Sequence, residues 1–135
     1  MASGKISQGQ NESIGLSLPV NTAYVSSARL TASSIANRMG FDIECAEDIK
    51  SAVSEACAYI IRTKSASGVQ SFKIIFDLSD SKIEITLTCA KGTGNDEPDT
   101  DEYGVKMIKA LMDTAELTTT DEETRIIMVK NLVKR

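Results

Sequence analysis

The chain has 135 residues, 41% apolar and 25% charged, the make-up of one globular domain large enough to bury a core unaided. A net charge of −4 and an isoelectric point near 4.9 leave no cationic surface to displace counterions, so nucleic acid is not an expected partner. Histidine is absent, and Cys45, Cys57 and Cys89 show no paired ligand spacing; histidine catalysis, histidine-bearing zinc sites and Ser-His-Asp triads are excluded.

Residues 1–12 are rich in Ser, Gly, Gln and Asn, and they read as a disordered arm ahead of a single domain over 13–135. Ile14, Leu16 and Leu18 alternate with small residues as in a half-buried strand that Pro19 ends. Asn21 or Thr22 then suits a helix cap. Tyr24, Ala28, Leu30 or Thr31, Ile35 and Met39 recur at helical spacing, and Gly40 fits the stop. Arg29 and Arg38 stand out from the small polar residues on the other side. Phe41 to Glu47 reads as a connection.

The stretch Asp48 to Ile61 predicts the central helix. Ile49, Val53, Ala56 and Ile60 form its apolar stripe, with Glu55 and Tyr59 one turn apart on the flank and Lys50 and Ser54 on the far side. A carboxylate at the edge of a buried face leaves two readings open, a border residue that solvates a core helix or a group that carries chemistry. Gly68 marks a turn. Phe72 to Leu78 and Ile83 to Cys89 alternate as two strands joined by an Asp80-Ser81 turn. Ala90 to Glu102 is glycine-bearing, acidic and aperiodic, as in a functional lid or a mobile loop. A third helix is expected at about Tyr103 to Asp113, with Val105, Ile108, Leu111 and Met112 on one face. Leu117 begins a strand, and Thr124 to Val133 forms another with a bulge near Asn131. This order predicts an α+β fold, a two-layer sandwich whose mostly antiparallel, mixed sheet carries the helices on one face. No run reaches ~18 apolar residues and no signal-peptide pattern is seen, so neither membrane insertion nor secretion is expected. The expected cysteine state is reduced and cytosolic.

The run Glu47-Asp48-Ile49-Lys50-Ser51-Ala52-Val53-Ser54-Glu55-Ala56-Cys57 resembles the D-x-K-x-A-V-S-E-A-C-T-N pattern of the bacterial anti-sigma factor serine kinases of the GHKL (Bergerat-fold) ATPase superfamily. Tyr24-Val25-x-x-x-Arg29-Leu30 and Ile108-Lys109-x-Leu111-Met112-Asp113 are further matches, and the likeness runs from about Ile14 to Lys134. The resemblance implies that Glu55 is the base that takes a proton from a substrate serine. Such a role suits phosphoryl transfer, which is mostly positioning and charge neutralisation. It also implies an ATP site with Mg²⁺ at Tyr59, Ala90, Gly92, Gly94, Gly104 and Thr124, and a partner contact at Arg29 for a sigma factor or a STAS-type antagonist.

Two of those positions, and two residues beside them, depart from the family pattern. The family's magnesium-binding Asn is Tyr59 here, and a bulky phenol is a poor donor for an ion that demands tight octahedral geometry. The Asp of D-x-G-x-G that accepts from the adenine amino group is Ala90; leaving that contact unmade costs ~1–3 kcal/mol, several-fold to a few hundred-fold in affinity. The lid G-x-G reads Glu102-Tyr103-Gly104, and Glu123 stands where a Gly usually precedes Thr124. Thr124 is either a ligand contact or a β-favouring strand residue, and Arg29 either a partner contact or a solvated helix residue. The expectation is a cytoplasmic bacterial anti-sigma regulator, a homodimer that binds a sigma factor or its STAS antagonist and has a degenerate kinase site without a bound metal. An active serine kinase of the same family, and an interaction module that keeps only the fold, are the other two readings.

Overall fold

A computed structural model of the chain describes residues 11–92 and 102–133, with Glu102 and Tyr103 described by backbone alone. The expected arm over 1–12 therefore lies outside the described residues except for its last two positions, as does Gly94.

Five strands form one sheet: β1 (Glu12–Pro19), β2 (Ser71–Leu78), β3 (Lys82–Ala90), β4 (Thr114–Thr119) and β5 (Glu123–Asn131). Their order is β1-β2-β3-β5-β4, and every neighbouring pair is antiparallel. Strict alternation makes one face of this sheet apolar. Phe72, Ile74, Phe76 and Leu78 of β2 and Ile83, Ile85, Leu87 and Cys89 of β3 are all buried. Each large side chain so covered contributes roughly 1.5–3 kcal/mol of burial.

The helices α1 (Val25–Met39), α2 (Ile43–Lys64) and α3 (Glu102–Leu111) supply the second layer. Helix α2 is its centre: it packs against both α1 and α3 and reaches β3. Ile49, Val53, Ala56, Cys57 and Ile60 are fully buried, the stripe expected from the sequence. Alanines at 28, 32 and 36 form the buried side of α1 and let the helices approach closely.

The local chemistry of the ends is legible. Asn21 accepts a 2.8 Å hydrogen bond from the Ala23 N–H and caps a single 3-10 turn, Thr22–Tyr24, ahead of α1. Gly40, at φ 94°, stops α1 in the left-handed conformation. Asp42 accepts from the Cys45 N–H at 2.8 Å and caps α2. This cap starts α2 at Ile43, so much of the expected Phe41–Glu47 connection is already helix. β4 likewise starts at Thr114 rather than Leu117, and β5 keeps an unbroken register with β3 from Glu123 to Asn131, without the expected bulge. Leu30 does not join the buried face of α1; it is 71% exposed.

The end of α3 is seated by polar contacts. Lys130 Nζ donates to the Leu111 carbonyl at 2.7 Å and lies 3.5 Å from Asp48 Oδ2 on α2. The Asn131 N–H donates to Asp113 at 2.6 Å. Among the described residues, no helix is long and apolar enough to cross a membrane.

Candidate functional site

Helix α2 carries Glu55, Tyr59 and Arg62 at successive helical turns, and α3 passes beside them. The contact is close at Gly104. A methyl added to that glycine would sit 3.8 Å from Glu55 Oε2 and 3.7 Å from Arg62 Nη2, so carboxylate and guanidinium both lie within 4 Å of one point. Glu55 is half-buried there, at the border of the buried face as its place on the flank of the apolar stripe implies. Tyr59 is buried, and the Arg62 guanidinium lies over its ring, 5.7 Å from the centroid. This first wall therefore brings together the predicted residues Glu55, Tyr59 and Gly104, and adds Arg62.

The second wall is where β3 and β5 meet the last turn of α2. The register sets Cys89 opposite Thr124 and Ala90 opposite Glu123. Thr124 is buried beside Cys89 on the helix side of the sheet, whereas Ala90 at the strand end is exposed. Beyond it the Lys91 N–H donates to the Glu122 carbonyl at 3.1 Å. Gly92 has φ 81°, and a Cβ there would fall 2.7 Å from Ser67 Oγ and 2.9 Å from the Ser67 carbonyl oxygen. Only glycine satisfies both demands.

Two residues of this wall were not anticipated. Lys64 is 3% exposed, and its Nζ lies 3.5 Å from the Lys91 carbonyl oxygen. Ser67, also buried, donates from its hydroxyl to the Lys64 carbonyl at 2.7 Å and supports Gly92 from below. A signal for Lys64 existed: it continues the Ile49–Val53–Ala56–Ile60 stripe by one more helical step. Arg29 belongs to neither wall. It lies exposed on α1 next to the exposed Leu30.

Two of the thiols are held in their protonated form. Burial pushes the Cys57 thiol up to about 12, and Cys45 is also raised, by burial first and then by its hydrogen bond to Asp42. Among the described residues, no three of His, Cys, Asp and Glu are grouped to hold a metal ion. What the first wall offers is one carboxylate beside one guanidinium, able to orient a hydroxyl or an anionic group.

Comparison with known proteins bears on the family and the fold. Residues 18–130 match the family described as Histidine kinase-like ATPase domain. The serine-protein kinases RsbW of Bacillus thuringiensis (strain Al Hakam) and Bacillus mycoides (strain KBAB4) are each 39% identical over 76 residues, 56% of this chain and 48% of theirs. The chain thus spans about half the length of these curated relatives. Among solved structures, the RsbU and RsbW domains of Rv1364c from Mycobacterium tuberculosis match 88% of this chain with a TM-score of 0.70. The match covers 32% of that longer chain at 15% identity, a likeness of fold.

Proposed function

The chain belongs to the family of histidine kinase-like ATPase domains, and from that premise we propose that it is an anti-sigma regulatory factor with a degenerate nucleotide site. It acts in the bacterial cytoplasm as a homodimer, binding a sigma factor or a STAS-type antagonist through the face of α1 that carries Arg29. The observation that carries this reading is Tyr59. One turn beyond Glu55, where a magnesium ligand is required, stands a buried phenol stacked under Arg62. A phenol so engaged does not fit the small, hard oxygen donor that Mg²⁺ takes. Ala90 offers a methyl where the base-reading carboxylate is needed. The residues present therefore do not fit Mg-ATP, and no phosphoryl-transfer step is assigned to them. On α1, the exposed Leu30 beside Arg29 supplies an apolar contact next to a cation, a combination suited to a protein partner.

Capture of sigma factors and STAS proteins on the immobilised chain tests the partner. Wild type is expected to retain one of them and Arg29→Glu to lose it; equal retention by both removes α1 from the interface. The competing reading, an active serine kinase, is favoured by one arrangement, the Glu55 carboxylate held beside Gly104. On that reading Glu55→Ala abolishes phosphorylation of a partner serine and leaves partner binding intact.

A further inference from the structure

Apart from Tyr59 and the thiols, the polar side chains buried among the described residues are Lys64, Ser67 and Thr124. All three lie around the end of β3. Lys64 stands in the last turn of α2 with its Nζ 3.5 Å from the Lys91 carbonyl oxygen, and Ser67 packs under Gly92. Thr124 is opposite Cys89, and Lys91 is two residues further on, about 7 Å along an extended chain. Burying a polar group costs free energy unless it is hydrogen-bonded, so three at one strand end need a reason.

What the cluster offers is mostly donors. An ammonium has three N–H groups and no acceptor, whatever else it reaches. The Ser67 hydroxyl spends its hydrogen on the Lys64 carbonyl at 2.7 Å. The Thr124 hydroxyl bonds to no described residue, and it is not sealed in, since no fully enclosed polar side-chain atom among those residues lacks a partner. Ala90, next along β3, adds no polar side chain. Where the family pattern has a carboxylate that accepts from the adenine amino group, this wall presents a buried cation.

We propose that this second wall reads a 6-oxopurine, the base of inosine or guanosine, in place of adenine. Lysine donates to the O6 and N7 acceptors on the edge of guanine, whereas adenine sets an amino donor beside its N7. A buried ammonium therefore gains a charge-assisted hydrogen bond from a carbonyl at C6. With an amino group there it meets a second donor instead, and its own N–H is left without that acceptor. The Thr124 hydroxyl accepts from the neighbouring N1–H that an oxopurine carries and adenine lacks. Neither contact involves a phosphate, so recognition of the base needs no magnesium. The proposal rests on the preceding reading that Mg-ATP is not the ligand, and it names what the same site takes instead.

Amide-shift titration of the full chain by NMR, with inosine and with adenosine in EDTA, tests it, because the two nucleosides differ only along the C6–N1 edge. Inosine is expected to bind at least ~10-fold more tightly than adenosine. Lys64→Met and Thr124→Val, each checked for folding by its amide spectrum, are both expected to weaken inosine binding. Lys64→Met is also expected to bring the two nucleosides within ~2-fold of each other. Equal affinities in wild type, a preference for adenosine, or no inosine binding up to ~10 mM overturns the proposal and leaves the degenerate-site reading standing. So does a folded Lys64→Met that keeps the full preference, which would make Lys64 a brace for the Lys91 turn and no more. Should Lys64→Met not fold, the wild-type ratio and Thr124→Val decide, and inosine binding unchanged by Thr124→Val counts as refutation. Tight, magnesium-dependent binding of ATP in a parallel titration overturns both readings.

Discussion

Gly92 and Gly104 stand on opposite walls of the candidate site and answer to different constraints. Gly92 is held at φ 81° with its α-carbon pressed against Ser67, where a methyl would meet atoms at 2.7–2.9 Å. Gly104 is helical, and a methyl there would find Glu55 and Arg62 at ordinary contact distance, 3.7–3.8 Å. One wall is shaped by backbone and needs its glycine. The other is shaped by side chains, and there a Tyr and an Arg line the helix beside the Glu. The turn at Gly92 is a demand of packing, and packing keeps it whether or not nucleotide binds.

The comparison can be broken by substitution. The largest effect is expected at Gly92→Ala, which forces a left-handed residue to carry a Cβ into the Ser67 backbone; a loss of about 3 kcal/mol in urea unfolding is expected. A loss below ~1 kcal/mol would mean that Gly92 is free to move, and the two walls would no longer differ. Next comes the dry side of α2. Because burial raises the Cys57 thiol to about 12 from its ordinary value of 9.0, the unfolded chain releases that proton first. Stability is then fully present below pH ~9 and declines as pH rises toward the folded value, by about 2 kcal/mol near pH ~10.5. Cys57→Ala should remove that slope while lowering stability at neutral pH. The smallest effects belong to the other wall. Gly104→Ala is expected to gain up to ~1 kcal/mol from helix propensity, and Arg62→Ala to cost about 0.5 kcal/mol for an exposed cation–π contact. A destabilised Gly104→Ala would show that α3 needs its close approach to α2 as much as β3 needs Gly92.

The sheet and the central helix were legible because alternation along β2 and β3, and the 3.6-residue stripe through Ile49, Val53, Ala56 and Ile60, each report a single buried face. Gly40 also did what its position promised. Less legible were places where tertiary packing decides. Leu30 shares its spacing with the apolar side of α1, yet the three buried alanines turn the helix so that it faces outward. The Asp42 cap is a single hydrogen bond, and no capping-box partner follows it to mark the start of α2. Lys64 reads as a fraying helix end because lysine is so rarely buried, although its place on the stripe foretold it. In the site, the Glu55 to Tyr59 spacing was plain from the sequence. That Arg62 caps the Tyr59 ring beside Gly104 required the third helix to be seated.

Whether the Tyr59 wall excludes magnesium nucleotide is the central claim, and titration calorimetry with Mg-ATP and Mg-ADP addresses it most directly. For wild type, no magnesium-dependent binding tighter than ~1 mM is expected, an interaction weaker than about 4 kcal/mol. The double variant Tyr59→Asn, Ala90→Asp, which returns an amide and a carboxylate to the two walls, is expected to bind with magnesium dependence. Tight, magnesium-dependent binding by wild type would contradict the account and leave the active kinase as the reading to pursue.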